Sequence, residues 1–127
     1  MRLLLVRHAE AAPGDPDELR PLTAAGRDAA RELGERLAAE QPEAVVSSPL
    51  LRARETAAAI AEASGLPVET DERLAPGATA DDVRGAVAGK GETVVAVGHQ
   101  PDCSEFVFAL TGDEVNFPVG SFHEVAL

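Results

Sequence analysis

Short apolar runs alternate along this chain with longer stretches in which small and apolar residues recur every three or four positions. Leu3 to Val6 is a continuous apolar run, as expected for a strand covered on both faces. A loop follows, marked by Pro13-Gly14, Asp15-Pro16 and Arg20-Pro21. Thr23 is placed to cap a helix running to about Glu40, with Gly26, Ala30, Leu33 and Leu37 on one face and Pro42 beyond its end. Ala44-Val45-Val46 reads as a second strand. Ser48-Pro49 reads as a helix start, a cap residue followed by Pro at the first helical position. That helix would bury Ala53, Ala57, Ile60 and Ala61 and stop at Gly65. Pro67 to Thr70 is a weaker third strand, and a short helix follows Thr79 and ends near Gly89. Thr93 to Val97, β-branched except at Ala96, is the clearest strand. Asp102 with Glu105 resembles a capping box opening a helix to about Leu110, and Ser121 to Ala126 closes the chain as a strand.

Strands alternating with helices predict one α/β domain over residues 1–127, with a mostly parallel central sheet and helices on both faces. The composition changes this picture little: 45% apolar, 26% charged, roughly a fifth alanine, no Trp or Tyr. The core must be built from Leu, Val, Ile and Ala. No apolar run approaches the roughly 20 residues that cross a bilayer. The apolar stretch after Arg2 is too short for a signal peptide, so a cytoplasmic protein is expected. The single Cys103 excludes an internal disulfide and permits a reducing compartment.

Charge says more. The chain carries 22 acids against 11 bases, a net charge of -11, and no Lys or Arg follows Lys90. A nucleic-acid binder needs a basic face that this chain lacks. An anionic substrate would meet a repulsive overall field, which a local cluster of Arg must overcome at short range.

In an open parallel sheet, ligands sit beyond the carboxyl ends of the strands. The first strand ends in Arg7-His8, the second in Ser47-Ser48 before a helix carrying Arg52, and the fourth in Gly98-His99. Parallel strands would bring these two histidines and two arginines to one edge. Guanidinium groups clamp phosphate oxygens through paired charge-assisted hydrogen bonds. The helix after Ser48-Pro49 offers free N–H groups and a positive dipole end. A neutral imidazole near phosphorus is a competent nucleophile, and a second one, if protonated, can stabilise transition-state charge. The set fits phosphoryl transfer through a phosphohistidine. Taken singly, each residue also has a plainer role: either His as a structural residue, Arg52 as a surface partner of Glu55. It is their joint placement after core strands that favours chemistry.

These residues also carry a family resemblance. Leu5-Val6-Arg7-His8-Ala9-Glu10-Ala11 resembles the signature of the histidine phosphatase (phosphoglycerate mutase-like) superfamily. Ser47-Ser48-Pro49-Leu50-Leu51-Arg52-Ala53-Arg54-Glu55-Thr56-Ala57 is similar to its second motif, and Val97-Gly98-His99-Gln100-Pro101 to its third. Arg20-Pro21-Leu22-Thr23-Ala24-Ala25-Gly26 and Asn116-Phe117-Pro118-Val119-Gly120-Ser121 resemble the short SixA-type phosphohistidine phosphatase branch. The resemblance implies His8 as nucleophile, with Arg7, Arg52 and His99 holding the phosphoryl group and Arg20 near the pocket rim. It implies a second step in which water hydrolyses the intermediate, and no metal or other cofactor. Most members of the superfamily also carry a catalytic Glu after the third strand. Here Pro76 takes that place, as is typical of the SixA branch. Its loss suits a labile P–N bond better than an ester, whose alkoxide needs a proton. Glu10 and Glu72 are the candidate substitutes.

Other signals fail. Cys103 lacks the Arg six positions on that cysteine phosphatases need, since Ala109 stands there, and reads as a buried thiol. Gly89-Lys90-Gly91 does not complete a phosphate loop. His123 falls in the last strand, without ligand spacing to His8 and His99. The expected function is therefore a metal-independent phosphatase acting on a phosphorylated protein through an open site. A phosphatase of small phosphoesters or nucleotides, or a non-catalytic phosphoryl-binding regulator, are the alternatives. Neither a nucleic acid nor a membrane is expected as partner, and the Ala-rich faces suggest a monomer.

Overall fold

The computed structural model covers residues 1–127. Five strands, β1 (Arg2–Arg7), β2 (Ala44–Ser47), β3 (Val68–Thr70), β4 (Thr93–Gly98) and β5 (Phe122–Ala126), form one sheet in the order β3-β2-β4-β1-β5. The first four are parallel; β5 runs antiparallel beside β1 at the edge. The strands are joined through α1 (Ala24–Ala38), α2 (Leu51–Ser64), α3 (Ala80–Val87) and α4 (Asp102–Thr111). The expected α/β architecture, a mostly parallel sheet with helices on both faces, is the one observed, and β5 is its one antiparallel strand.

The period of two along each strand divides the core into two layers. Leu3 and Leu5 of β1 face a cluster with Val83, Ala86 and Val87 of α3 and Cys103, Phe106 and Val107 of α4. Leu4 and Val6 face the opposite layer, with Leu33 and Leu37 of α1 and Ala53, Ala57 and Ile60 of α2. Central strands buried on both sides read as unbroken apolar runs for this reason. Each large aliphatic side chain so buried contributes roughly 1.5–3 kcal/mol relative to exposure.

Helix signals succeeded where the cap was local and failed where it was tertiary. The Thr23 side chain accepts from Gly26 N, as read from the sequence, and Thr79 with Asp82 completes a capping box for α3. Gly65 ends α2 in the left-handed conformation, at φ 69°. Two starts differ from expectation. Helix α2 begins at Leu51 with Leu50 as its cap residue; Ser48 Oγ accepts from Leu50 N at 3.2 Å just ahead of it and also reaches into the site described below. Asp102 is the first residue of α4, and its Oδ2 accepts from Gly77 N and Ala78 N, pinning a loop instead of capping its own helix.

One close approach prepares the site. A Cβ on Gly26 would lie 2.1 Å from the Glu10 carbonyl oxygen, so only glycine lets the start of α1 reach the segment after β1.

Candidate active site

Strand β4 lies between β1 and β2, so three carboxyl ends are contiguous. Arg7 is in register with Gly98, and His8 N donates to the Gly98 carbonyl at 3.2 Å. The two imidazoles that follow these strands lie with ring centroids 5.3 Å apart. On the other side, Ser48 N donates to the Val97 carbonyl at 3.0 Å before the chain turns into α2 and presents Arg52.

His8 is held in one tautomer. Its Nδ1 is 2.7 Å from the Ala9 carbonyl oxygen. A carbonyl only accepts, so Nδ1 carries the proton and Nε2 keeps its lone pair. Ala9 is itself fixed: its N–H donates to Thr56 Oγ1 at 3.0 Å, and that hydroxyl donates to the Arg52 carbonyl at 2.9 Å. Burial pushes the His8 pKa below its ordinary value; the Ala9 hydrogen bond opposes this, and Arg52, Arg7 and Arg20 add to the lowering. The resting imidazole is neutral near pH 7, as a nucleophile must be.

His99 is 3% exposed, and its Nε2 is 2.7 Å from Ser48 Oγ. Burial, then the neighbouring His8 and Arg52, push its pKa down to about 4. This corrects the picture of a protonated second imidazole for the resting site. The cations that bind a phosphoryl group add to this lowering, Asp17 opposes it, and an arriving anion would oppose it further.

The two arginines are held differently. Arg7 Nη1 donates to the Phe117 carbonyl at 2.8 Å, while its Nε is buried without a protein partner. The loop carrying Phe117 is tied down at Gly120, at φ 71°, whose N–H is 2.9 Å from the His8 carbonyl and 3.2 Å from that of Arg7. Arg52, 7% exposed, donates from Nη1 to the Asp17 carbonyl at 3.0 Å and from Nη2 to Asp17 Oδ2 at 3.2 Å. It does not pair with Glu55, whose Oε1 accepts from Leu22 N at 2.8 Å. Arg20 lies one step out: its Nη1 donates to Asp17 Oδ1 at 3.1 Å and its Nε to the Ala12 carbonyl at 2.9 Å. These contacts, that with Arg20 first, hold the Asp17 carboxyl below the usual range.

The structure therefore brings Arg7, His8, Arg52 and His99 to one edge, with Arg20 at its rim. Two permanent cations flank two neutral imidazoles, an arrangement suited to a phosphoryl dianion. Of the two candidate acids, Glu10 Oε1 accepts from the Thr23 hydroxyl at 2.7 Å, at the start of α1. Glu72 is exposed and lines a shallow depression with Arg73, Pro76 and Asp82. Neither is hydrogen-bonded to a cradle residue. The His123 ring on β5 packs at 4.8 Å from that of Phe117, tilted by 48°, and burial pushes the pKa of the Cys103 thiol up to about 12. The most voluminous concavity, about 720 Å³, lies between α1 and α2 and shares no residue with the cradle.

Sequence reading missed Asp17, Ser48 and Thr56. Thr56 stands four residues after Arg52, on the same helical face, and that spacing was the available signal. Ser48 was legible only as a cap. Asp17 opens a single 3-10 turn within a long connection, where no periodicity points anywhere.

Comparison with known proteins agrees with this geometry. No curated protein matches the chain by sequence. Among solved structures, the protein histidine phosphatase SixA complexed with tungstate superposes with a TM-score of 0.89 at 27% identity, covering 100% of this chain and 88% of that one. SixA from Nakamurella multipartitia gives 0.84 at 28% identity, over 97% of this chain and 82% of that one. SixA from Agrobacterium tumefaciens gives 0.83 at 25% identity, over 97% and 89%. The profile of the histidine phosphatase superfamily (branch 1) matches residues 3–76, more than half of the sequence, and the chain belongs to that superfamily.

Proposed function

We propose that the protein is a metal-independent phosphatase that works through a phosphorylated His8 and takes phosphohistidine in a protein as its substrate. In the first step the His8 Nε2 lone pair attacks phosphorus while the substrate P–N bond breaks. A substrate imidazole protonated on its other nitrogen leaves as a neutral ring, so no protein acid is required. In the second step water attacks the phosphorus of phospho-His8, releasing inorganic phosphate and restoring the neutral ring. Arg7 and Arg52 neutralise the phosphoryl oxygens in both steps. His99 becomes a better donor as the phosphoryl charge opposes the cations around it.

The observation that carries this reading is the Nδ1 contact of His8 with the Ala9 carbonyl, which frees Nε2 beside two guanidinium groups and a second imidazole. A pure phosphoryl binder has no need of a poised nucleophile. Neither Glu10 nor Glu72 is bonded to the cradle, and the one carboxyl group that is, Asp17, is held ionised by Arg20 and Arg52 and so is a poor proton donor, which supports a labile P–N substrate over an ester. The likeness to SixA proteins supports the same substrate class.

The test is turnover of a phosphohistidine peptide, a phosphoserine peptide and a small phosphoester in parallel, with EDTA present. We expect preference for the phosphohistidine peptide, label trapped on the protein from labelled substrate, and loss of both turnover and label in His8→Ala. Turnover that survives His8→Ala would refute the nucleophile, and preference for the small ester would refute the substrate class.

A further inference from the structure

Arg52 is the one cradle cation whose two terminal nitrogens are both already engaged, and Asp17 engages them. A phosphoryl group clamped in the paired fashion of a guanidinium fork uses that same pair. We propose that Asp17 is a specificity-determining residue, a resident anion on Arg52 that an incoming phosphoryl group must displace. This rests on the phosphatase reading above only for the identity of the incoming anion.

The surroundings suit displacement. Arg52 is almost fully buried, whereas the side chain of Asp17 is 58% exposed. Asp17 opens a single 3-10 turn, Asp17–Leu19, that buries none of its residues. Releasing it therefore uncovers little apolar surface, and its carboxylate passes directly into water. Arg20, anchored on the Ala12 carbonyl, holds the other carboxylate oxygen and keeps the turn nearby when Arg52 is taken. Contact with Arg52 alone gives an anion no advantage over Asp17. One that also engages Arg7, His8 and His99 has that advantage. The carboxylate thus raises the threshold for anions that match the cradle poorly, within a chain whose net charge of -11 already disfavours them.

The experiment measures binding of inorganic phosphate and of sulfate, by calorimetry at fixed pH and ionic strength, to the wild type, Asp17→Asn, Asp17→Ala and Glu18→Gln. Glu18 lies in the same turn, exposed and without a hydrogen-bond partner, and its substitution removes the same charge. Both Asp17 variants are expected to bind either anion roughly fivefold more tightly, with sulfate gaining at least as much as phosphate, while Glu18→Gln changes affinity by less than about twofold. Unchanged or weaker binding in both Asp17 variants would overturn the proposal, as would an equal gain in Glu18→Gln, which would assign the effect to the overall field. Tighter binding in the Asp17 variants without His8-dependent turnover in any of them would instead uphold the displaced anion and refute the phosphatase.

Discussion

The two sides of the cradle are built from different materials. On the strand-end side, Arg7 and His8 are fastened to main-chain carbonyls, those of Phe117 and Ala9, at 2.8 and 2.7 Å. On the loop side, Arg52 is fastened to the carbonyl of Asp17 at 3.0 Å and to its carboxylate at 3.2 Å, on an exposed turn whose carboxylate is shared with Arg20. The carbonyls of Phe117 and Ala9 cannot leave without moving a tied loop or the end of a strand, whereas Asp17 sits on a turn with no buried residue, so its carbonyl can shift with the turn and its carboxylate can rotate into water. The nucleophile is thus oriented by contacts that persist through the reaction, and the anion is received by contacts that exchange.

The largest effects should come from removing either guanidinium. Arg7→Ala and Arg52→Ala are each expected to lower kcat/KM about 10²–10³-fold, the usual loss for one donor to a developing oxyanion. The two should differ elsewhere. Arg7→Ala frees the Phe117 carbonyl and loosens the loop held at Gly120, so amide exchange over residues 116–120 should accelerate. Arg52→Ala frees only the exposed turn at Asp17. Equal loosening of both regions by both substitutions would erase the contrast.

Next is Thr56→Val, which keeps the shape of the side chain and removes the hydroxyl. Ala9 N–H then loses its acceptor in a fully buried position, a cost of about 1–3 kcal/mol in denaturant unfolding. Because the Ala9 carbonyl fixes the His8 tautomer, kcat should fall more than KM rises. Nitrogen NMR of the imidazole should show the Nδ1–H form less populated. A stability loss with an unaltered tautomer would leave Thr56 as a packing residue only.

The pH dependence of stability follows from the lowered histidines. A folded-state pKa below the unfolded value means that the unfolded chain binds more protons between the two. Stability from these groups is therefore complete above about pH 6.5 and declines as pH falls. For His99 the decline continues to about pH 4 and then levels. His99→Gln should flatten the 4–6.5 window in urea unfolding midpoints. An undiminished slope would show that carboxylates, not the imidazole, dominate there.

Much of this was legible in the sequence, for identifiable reasons. The layers of the fold could be read because β1 and β4 are buried on both faces and leave unbroken apolar runs. The cradle could be read because Arg7-His8 and Gly98-His99 directly follow those runs, so strand geometry alone places them. What could not be read was tertiary pairing. Ser48 had the chemistry of a cap and, while still accepting from Leu50 N, became the partner of His99; Asp102 had the chemistry of a cap and became an anchor for Gly77 and Ala78. A side chain that satisfies a local rule can be claimed by a stronger partner from another element, and no pattern within one segment reports this. Asp17 had no helix or strand pattern of its own to point to Arg52, which lies 35 positions away.

The smallest effect separates a residue that touches the phosphoryl group from one that only steadies its neighbour. Arg20 resembles a rim ligand, but it faces Asp17 across a bridge whose side chains are 30% and 58% exposed. Bridges of that exposure contribute roughly 0–1 kcal/mol, so Arg20→Ala should change kcat/KM by less than about fivefold. Its direction is informative. If Arg20 acts only through Asp17, its loss frees the carboxylate to leave Arg52, and phosphate binding holds steady or tightens slightly. A fall in kcat/KM comparable with that of Arg52→Ala would make Arg20 a direct ligand. The loop side of the cradle would then supply two phosphoryl contacts, and the division between a fixed and an exchangeable side would run through the Arg20 side chain, held at Nε by the Ala12 carbonyl and exchangeable at Nη1, where Asp17 now sits.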